Sequence, residues 1–492
     1  MKTNNKIFGM LLLLATGITG ACSEDFLDRA PRAELTSENF FQTGQQAVEA
    51  VNGIYSHLRS FNVHVFSYIG VTDIASDDAD KGSVPGDAAF LEDINNFTFD
   101  AGNSAVIGIW QGYYQGVFRA NQVIVNVPGI EMDEDLKQRV LAEARFLRAY
   151  FYFFLVRTYG DLPLIDRLLQ PDEYFQERVP AAQIYDFIIA DLQFAVENLP
   201  EKSAYPASDL GRATKGAARG FLSKVYLFRN DFQNAYTQAK EIINSNEYAL
   251  YPDYENIFRE EGEHSSESLF EVSAVDLEQG GGGHQFNEVQ GIRGNPNNGW
   301  GFNRPSDDLF SAYETGDPRR AATIISNGDT LPTGQIVRAD PNMGANPRFN
   351  KKAWLPEVPP GGFGNSGANI RLLRYADILL IAAEAANELG NATDALRYLN
   401  QVRERARQGN PAILPDVTVT EQAALRDAIL RERRVELAME QQRYFDLVRT
   451  GRAQATFAEL GINWIPGKHE VYPIPQAEID ISGGRITQNP NY

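Results

Sequence analysis

The sequence contains very little cysteine: one residue, Cys22, in a chain of 492. A single thiol excludes a disulfide within the chain, and it excludes a metal centre built from several cysteines. The five histidines are also few, and none lies at the H-x-x-H or H-E-x-x-H spacing of common zinc sites. We therefore expect neither a disulfide framework nor a catalytic metal site.

Basic residues are too few to balance the acidic ones. The chain has 45 Lys and Arg against 65 Asp and Glu, a formal net charge of −20, which opposes binding to nucleic acid. Catalytic motifs are lacking too: there is no G-x-S-x-G, and the glycine run 280–283 is not followed by Lys-Ser or Lys-Thr. Carboxylates are abundant, but no pair stands out for glycoside hydrolysis. We expect no nucleic-acid partner, and no motif in the sequence points to a particular enzymatic reaction.

Long hydrophobic runs are lacking after residue 21. Before it, a basic start and the apolar run "IFGMLLLLATGI", which is too short to span a bilayer, predict a lipoprotein signal peptide over residues 1–21. The small residues "TGA" precede Cys22 and favour cleavage before a lipid-carrying cysteine, although the usual Leu at the third position upstream is Thr19. The alternative is ordinary signal-peptidase cleavage, with Cys22 a free thiol. Acyl chains on Cys22 would anchor the protein to a membrane.

What the mature chain does contain is helical periodicity. The segment "AAQIYDFIIADLQFAVENLP" carries apolar residues at 3.6-residue spacing, which predicts an amphipathic helix. Two longer segments each show a striped helix, a short polar turn and a second helix, and an offset of 160 residues aligns Ala235 with Ala395 and Ile242 with Val402. Small residues at such positions are typical of packed helical hairpins. The sequence predicts a mainly α fold with repeated helix-turn-helix units.

Two long stretches rich in Gly, Pro and Asn interrupt this helical pattern, and long irregular segments in a compact domain are usually functional. We expect a single domain over residues 37–492, preceded by a tether over residues 22–36. Its predicted parts are a helical scaffold over 37–60, 104–256 and 371–453, ligand-binding loops over 61–103 and 257–370, and a carboxyl-terminal strap over 454–492.

The carboxyl end combines "LRERRVELAMEQQRYFDLVRTGRA" with "VYPIPQAEIDISGGRITQNPNY". Together with "CSEDFLD", "GWGFNRPSDDLFSAYETGDPRR" and "RYADILLIAAEA", this combination closely resembles the SusD/RagB family of surface nutrient-binding lipoproteins. The resemblance implies four tetratricopeptide-like hairpins carrying long irregular loop insertions. It also implies a non-catalytic protein of the outer membrane, facing the cell exterior, that captures oligo- or polysaccharide for a TonB-dependent SusC-like transporter.

Other functions stay open at this point. A peptide-binding member of the same family is the main alternative, followed by a protein-binding repeat scaffold and a hydrolase. For the arginines and glutamates that alternate over residues 431–440, the sequence favours a charge network that packs the last long helix over a role in ligand binding.

Sugars present C–H faces to aromatic rings and hydroxyl pairs to planar polar groups, so loop residues of both kinds are the candidates. The second loop offers Trp300 with Arg293, Asn295 and Asn298, and the first loop offers Tyr68, Phe90, Asp73, Asp77 and Asp78. Arg371, near Asn365 and Asn369, is a weaker third candidate. The alternatives are that Trp300 packs its own loop and that Asp73 or Asp77 caps a turn. No cofactor is expected; "SDDADKG" does not match a calcium loop, and a structural calcium ion is kept as an alternative.

Overall fold

The structure is a computed structural model that describes residues 40–492. The predicted signal peptide, Cys22 and the tether lie outside the described residues. Helices form most of the described chain, which confirms the mainly α prediction. The α-helices are α1 Gly44–His57, α2 Phe61–His64, α3 Phe66–Ile69, α4 Ala89–Asn95, α5 Ser104–Asn126, α6 Glu134–Tyr159, α7 Ala181–Asn198, α8 Lys215–Phe228, α9 Phe232–Ser245, α10 Phe286–Gln290, α11 Asp307–Ala312, α12 Pro318–Thr323, α13 Tyr375–Glu388, α14 Ala392–Ala406, α15 Gln422–Glu436, α16 Arg443–Arg449, α17 Ala453–Glu459 and α18 Gln476–Ile481.

Helix α6 lies at the centre of the first half of the scaffold. Its residues from Val140 to Val156 are almost all buried, and α1, α5 and α7 pack around it. At Gly116 of α5, a Cβ atom would lie 2.5 Å from the ring of Phe151. Glycine at this position therefore lets α5 approach α6 closely, in the way that dense helix packing requires.

The two predicted hairpins are present as α8–α9 and α13–α14, and their turns are equivalent. Asn230 and Gly390 both adopt a left-handed backbone, with φ of 57° and 77°. The next residues, Asp231 and Asn391, both cap the second helix by accepting a backbone hydrogen bond. The internal repeat that the 160-residue offset predicted is therefore confirmed for these two hairpins.

Short strands join the loop regions to each other and to the scaffold. In the described chain they form five antiparallel two-stranded sheets that pair β1 with β6, β2 with β3, β4 with β10, β5 with β8 and β7 with β9. Their bounds are β1 Ala79–Gly82, β2 Leu162–Pro163, β3 Arg178–Val179, β4 Ser268–Val272, β5 Gly294–Asn295, β6 Phe302–Pro305, β7 Ile324–Ser326, β8 Arg338–Ala339, β9 Arg348–Asn350 and β10 Ile370–Arg374. The β1–β6 pair connects the first loop region to the second.

A buried charge network ties the carboxyl-terminal signature to the rest of the fold. The carboxylate of Glu436 on α15 accepts hydrogen bonds from Arg319 at 3.0 Å and Arg374 at 2.6 Å, and it also pairs with Arg405. Burial alone would raise the pKa of Glu436, but these guanidinium groups hold that pKa well below its usual value. The partners lie on other elements rather than on α15 itself, while Arg431 is exposed to solvent. Within residues 40–492, no helix combines the length and the apolar character needed to cross a membrane.

Candidate functional site

The loop that carries Trp300 is closed at its neck by two glycines. A Cβ atom on Gly299 would lie 2.3 Å from the Cα of Gly291, so the two backbones touch where no side chain fits. Above the neck, the side-chain oxygen of Asn298 accepts the backbone N–H of Ile292 at 2.8 Å. Asn298 therefore shapes the loop, whereas the side chains of Asn295 and Asn297 are exposed and have no hydrogen-bond partner among residues 40–492.

Trp300 is half-buried and rests on an aromatic cluster. Its ring meets the ring of Phe66 edge to face, with centroids 5.9 Å apart and an interplanar angle of 89°. Phe66 also contacts Phe90 at 5.7 Å and Phe302 at 4.9 Å. Edge-to-face contacts of this kind fix the orientation of a ring, so Trp300 is held in place while part of it stays exposed to solvent.

Arg293 is fixed beside Trp300 by two carboxylates. Its Nη1 donates to Asp87 at 2.8 Å and to the hydroxyl of Ser83 at 2.9 Å, and its Nε donates to Asp340 at 3.4 Å. The hydroxyl of Ser83 and then the guanidinium of Arg293 hold the pKa of Asp87 below its usual value. The pKa of Asp340 is also lowered, first by the backbone N–H of Asn342 and then by Arg293. Both carboxylates are therefore ionised at neutral pH.

These groups surround an open depression of about 670 Å³. It is lined by Arg293, Gly294, Asn295, Asn297, Gly299, Trp300, Arg338, Ala339, Asp340 and Pro341. A partly exposed aromatic ring, two guanidinium groups and two amides thus share one concave surface. Such a surface offers both an apolar face and planar hydrogen-bonding groups to a ligand.

The predicted residues of the first loop do not present free groups at this depression. Tyr68 is buried, with its ring against those of His64 and Phe154, and Phe90 packs on Phe66. Asp73 is buried and accepts hydrogen bonds from Gln441 and Asn303, and burial raises its pKa to about 6.

Asp77 and Asp78 are buried as well, because arginines of the carboxyl-terminal signature pair with them. Arg443 and Arg434 bind Asp77, and Arg434 binds Asp78 at 2.7 Å. The three aspartates therefore hold the first loop against the signature and do not form part of the candidate site.

Arg371 lies elsewhere, on β10, and is buried. Its guanidinium donates to the backbone oxygens of Asn369 and Arg259 and lies within 3.7 Å of the carboxylates of Glu263 and Glu271. Asn365 is used internally too, because it accepts backbone hydrogen bonds from Gly281 and Gly283. The residues of this third cluster therefore make contacts within the second loop region and do not line the depression.

Sequence reasoning missed Arg338, Asp340 and Pro341 of this site. They reach it because β8 pairs with β5, and a ladder of two residues leaves no readable signal in the sequence. For a metal, no group of three or more His, Cys, Asp or Glu side chains is placed to hold an ion within residues 40–492.

Comparisons with known proteins agree with the fold. The SusD family model matches residues 266–492, and a second model, described as starch-binding and associating with the outer membrane, matches residues 25–227. SusD-like protein P2 of Formosa agariphila is 31% identical over 100% of both chains. A SusD-like protein of Bacteroides ovatus is 30% identical, covering 89% of this chain and 82% of that protein.

Solved structures show the same architecture over nearly the whole chain. A laminarin-binding SusD-like protein superposes with a TM-score of 0.81 at 29% identity, over 92% of this chain and 100% of that one. The surface glycan-binding protein A of Bacteroides thetaiotaomicron, in complex with laminarihexaose, has a TM-score of 0.78 at 26% identity, with the same coverage. On this evidence the chain belongs to the SusD family.

Proposed function

We propose that this protein is a surface lipoprotein of the outer membrane that captures an oligo- or polysaccharide and delivers it to a TonB-dependent SusC-like transporter. The observation that carries the proposal is the setting of Trp300, half-exposed at the depression and held there by Phe66. The laminarin and laminarihexaose named for two structural neighbours support a glycan as the ligand class.

The depression suits a sugar for a physical reason. A ring fixed before binding loses little conformational entropy when the C–H face of a sugar covers it. Arg293 is also fixed in advance, and its planar guanidinium can donate to hydroxyl oxygens. The amides of Asn295 and Asn297 add donors and acceptors at the rim.

Binding without catalysis fits the carboxylates near the depression. Glycoside hydrolysis needs one carboxylic acid whose raised pKa keeps it protonated. The pKa values of Asp87 and Asp340 are instead lowered, and both side chains already accept hydrogen bonds from Arg293. Neither is suited to act as the general acid.

Anchoring and delivery extend the proposal beyond the described residues. Lipid on Cys22 would hold the protein at the membrane, in keeping with the outer-membrane association in the description of the matching family model. The transporter partner is inferred from membership of the SusD family. Purification of the protein from native membranes in mild detergent should bring down a much larger membrane protein, and recovery of the protein alone would contradict delivery to a transporter.

Glycan capture is tested by retardation in gels that contain single polysaccharides, followed by calorimetry with Trp300→Ala. Base–aromatic stacking is worth about 1–3 kcal/mol, so we expect an affinity loss of roughly 5- to 150-fold by analogy. The matched control is Phe118→Ala, which removes an aromatic ring that is 53% exposed on α5. Equal loss in both variants, or none in folded Trp300→Ala, would contradict the site. Tight peptide binding with no retardation by any polysaccharide would indicate that the ligand is a peptide and not a glycan.

A further inference from the structure

One guanidinium group in the depression has no partner in the part of the chain that the structure describes. The side chain of Arg338 is exposed and forms no hydrogen bond, ion pair or ring contact with any of residues 40–492, although it lines the same depression as Trp300. Arg293, in contrast, is held by Asp87 and Asp340. The N–H groups of Arg338 are therefore available to a bound molecule.

The position of Arg338 is set by the backbone rather than by its own side chain. In the β5–β8 ladder, Asn295 lies opposite Arg338, and Gly294 lies opposite Ala339. A Cβ atom on Gly294 would lie 2.0 Å from the carbonyl oxygen of Arg338, and Gly294 has a φ of 144°, so glycine is required for this pairing. Directly opposed residues have Cβ atoms about 5 Å apart, which makes Asn295 and Arg338 neighbours on one side of the ladder.

The charge around the depression is balanced. Arg293, Arg338 and Asp340 line the depression, and Asp87, outside the lining, pairs with Arg293. These four side chains carry two positive and two negative charges. An anionic sugar would gain from Arg338 but would also approach the carboxylate of Asp340, in a chain of net charge −20. A neutral sugar is not repelled by these negative charges.

We infer that Arg338 is a ligand-binding residue of this site and that the glycan it recognises is neutral. The inference rests on the proposed function and names the substrate class of the same site. The guanidinium of Arg338 donates parallel N–H groups to two neighbouring hydroxyl oxygens of a hexose, and Trp300 contacts a C–H face of the same glycan chain. Planar, bidentate donation of this kind distinguishes arginine from lysine.

The first experiment compares polysaccharides of both classes in affinity gels. Laminarin, mixed-linkage glucan, xylan and galactomannan represent neutral glycans, and alginate and polygalacturonate represent acidic ones. We expect retardation by at least one neutral polysaccharide, with little dependence on salt. Retardation by the acidic polysaccharides alone, weakening steeply as salt rises, would overturn the neutral class.

The second experiment measures the affinity of variants for oligosaccharides of the retarding polysaccharide. Arg338→Ala should weaken binding about tenfold or more. The affinity of Arg338→Lys should lie between the affinities of Arg338→Ala and the parent, because an ammonium group lacks the planar pair of N–H donors of a guanidinium. The control is Arg431→Ala, which removes another exposed arginine with no partner among residues 40–492, on α15. We expect Arg431→Ala to bind like the parent.

Results with Trp300→Ala separate the two proposals. If Trp300→Ala loses affinity while Arg338→Ala binds like the parent, the glycan site stands and the role of Arg338 is overturned. If both variants bind like the parent, the depression is not the glycan site, and the proposed site and the inference fall together. Full affinity of Arg338→Lys would overturn bidentate donation.

Discussion

Arg443 of α16 donates two hydrogen bonds to Asp77 of the first loop, from Nε to Oδ1 at 2.8 Å and from Nη2 to Oδ2 at 2.7 Å. The side chain of Asp77 is fully buried, and Arg434 also faces it at 3.0 Å. Residues near the two ends of the described chain are thereby joined by a buried charge pair. An acidic loop residue that resembles a ligand contact in the sequence is a structural residue in the fold.

We expect Asp77→Asn to lower the free energy of unfolding by about 3 kcal/mol, because it leaves Arg443 without its buried counter-charge and removes one of the carboxylates that pair with Arg434. Glycan affinity of the folded variant should match that of the parent. Chemical denaturation and calorimetry at one temperature measure both quantities, with Glu131→Gln, an exposed carboxylate without a partner among residues 40–492, as the control. Weakened binding at unchanged stability would show that Asp77 contacts the ligand after all.

The sequence predicts the features of this fold that depend on neighbouring residues, and it does not predict those that depend on contacts between distant residues. The hairpin turns at Asn230 and Gly390 follow from local periodicity and turn residues, and the structure confirms them. Trp300 stands out because an aromatic residue in a Gly-rich loop is itself a local pattern. The partners Arg434 and Arg443 of Asp77, and the ladder that brings in Arg338, depend on pairings across hundreds or tens of residues. No local pattern encodes such pairings.

Asp73 should give the stability of the protein an unusual pH dependence. Burial raises the pKa of Asp73 to about 6 in the folded state, against 3.8 for an unperturbed aspartate side chain. The folded state therefore binds the proton more tightly, so the contribution of Asp73 to stability is fully present below about pH 4 and is lost as pH rises through about 6. The loss amounts to at most about 3 kcal/mol.

Denaturation of the parent and of Asp73→Asn at pH values from 4 to 7 isolates this contribution, because asparagine does not titrate. We expect the stability of the variant relative to the parent to rise with pH across that window. The variant also places an amide N–H₂ group next to the hydrogen-bond donors of Gln441 and Asn303. We therefore expect an additional loss of stability in the variant that does not change with pH. A difference that stays flat from pH 4 to 7 would contradict the raised pKa.

Cys22→Ala tests the proposed anchor. Acyl chains contribute about 0.8 kcal/mol per buried methylene, so removal of the acceptor thiol should move the protein from the membrane fraction to the soluble fraction. Ser23→Ala, one residue away, should leave fractionation unchanged. Fractionation is measured in cells that lack the proposed SusC-like transporter, since such a transporter would retain the protein by itself. Persistence of Cys22→Ala with outer membranes in such cells would exclude Cys22 as the anchor.

Gly299→Ala should impair the site without removing any group that touches the ligand. The new Cβ atom would lie 2.3 Å from the Cα of Gly291 and 2.4 Å from the carbonyl oxygen of Glu288, so the loop neck must open and Trp300 must shift. We expect an affinity loss of about tenfold or more. Overpacking of this kind costs about 1–3 kcal/mol of stability, and the protein should stay folded.

The matched control for Gly299→Ala is Gly53→Ala in α1, where an added Cβ atom meets no other atom within 4 Å. Alanine is favoured over glycine inside a helix by about 0.5–1 kcal/mol, so this control should be slightly more stable than the parent and bind glycan equally well. Calorimetric titration and denaturation of both variants complete the comparison. A displaced Trp300 ring could not keep the same contact with the ligand. If Gly299→Ala binds glycan like the parent, the contact of Gly299 with Gly291 therefore does not determine where Trp300 meets the ligand.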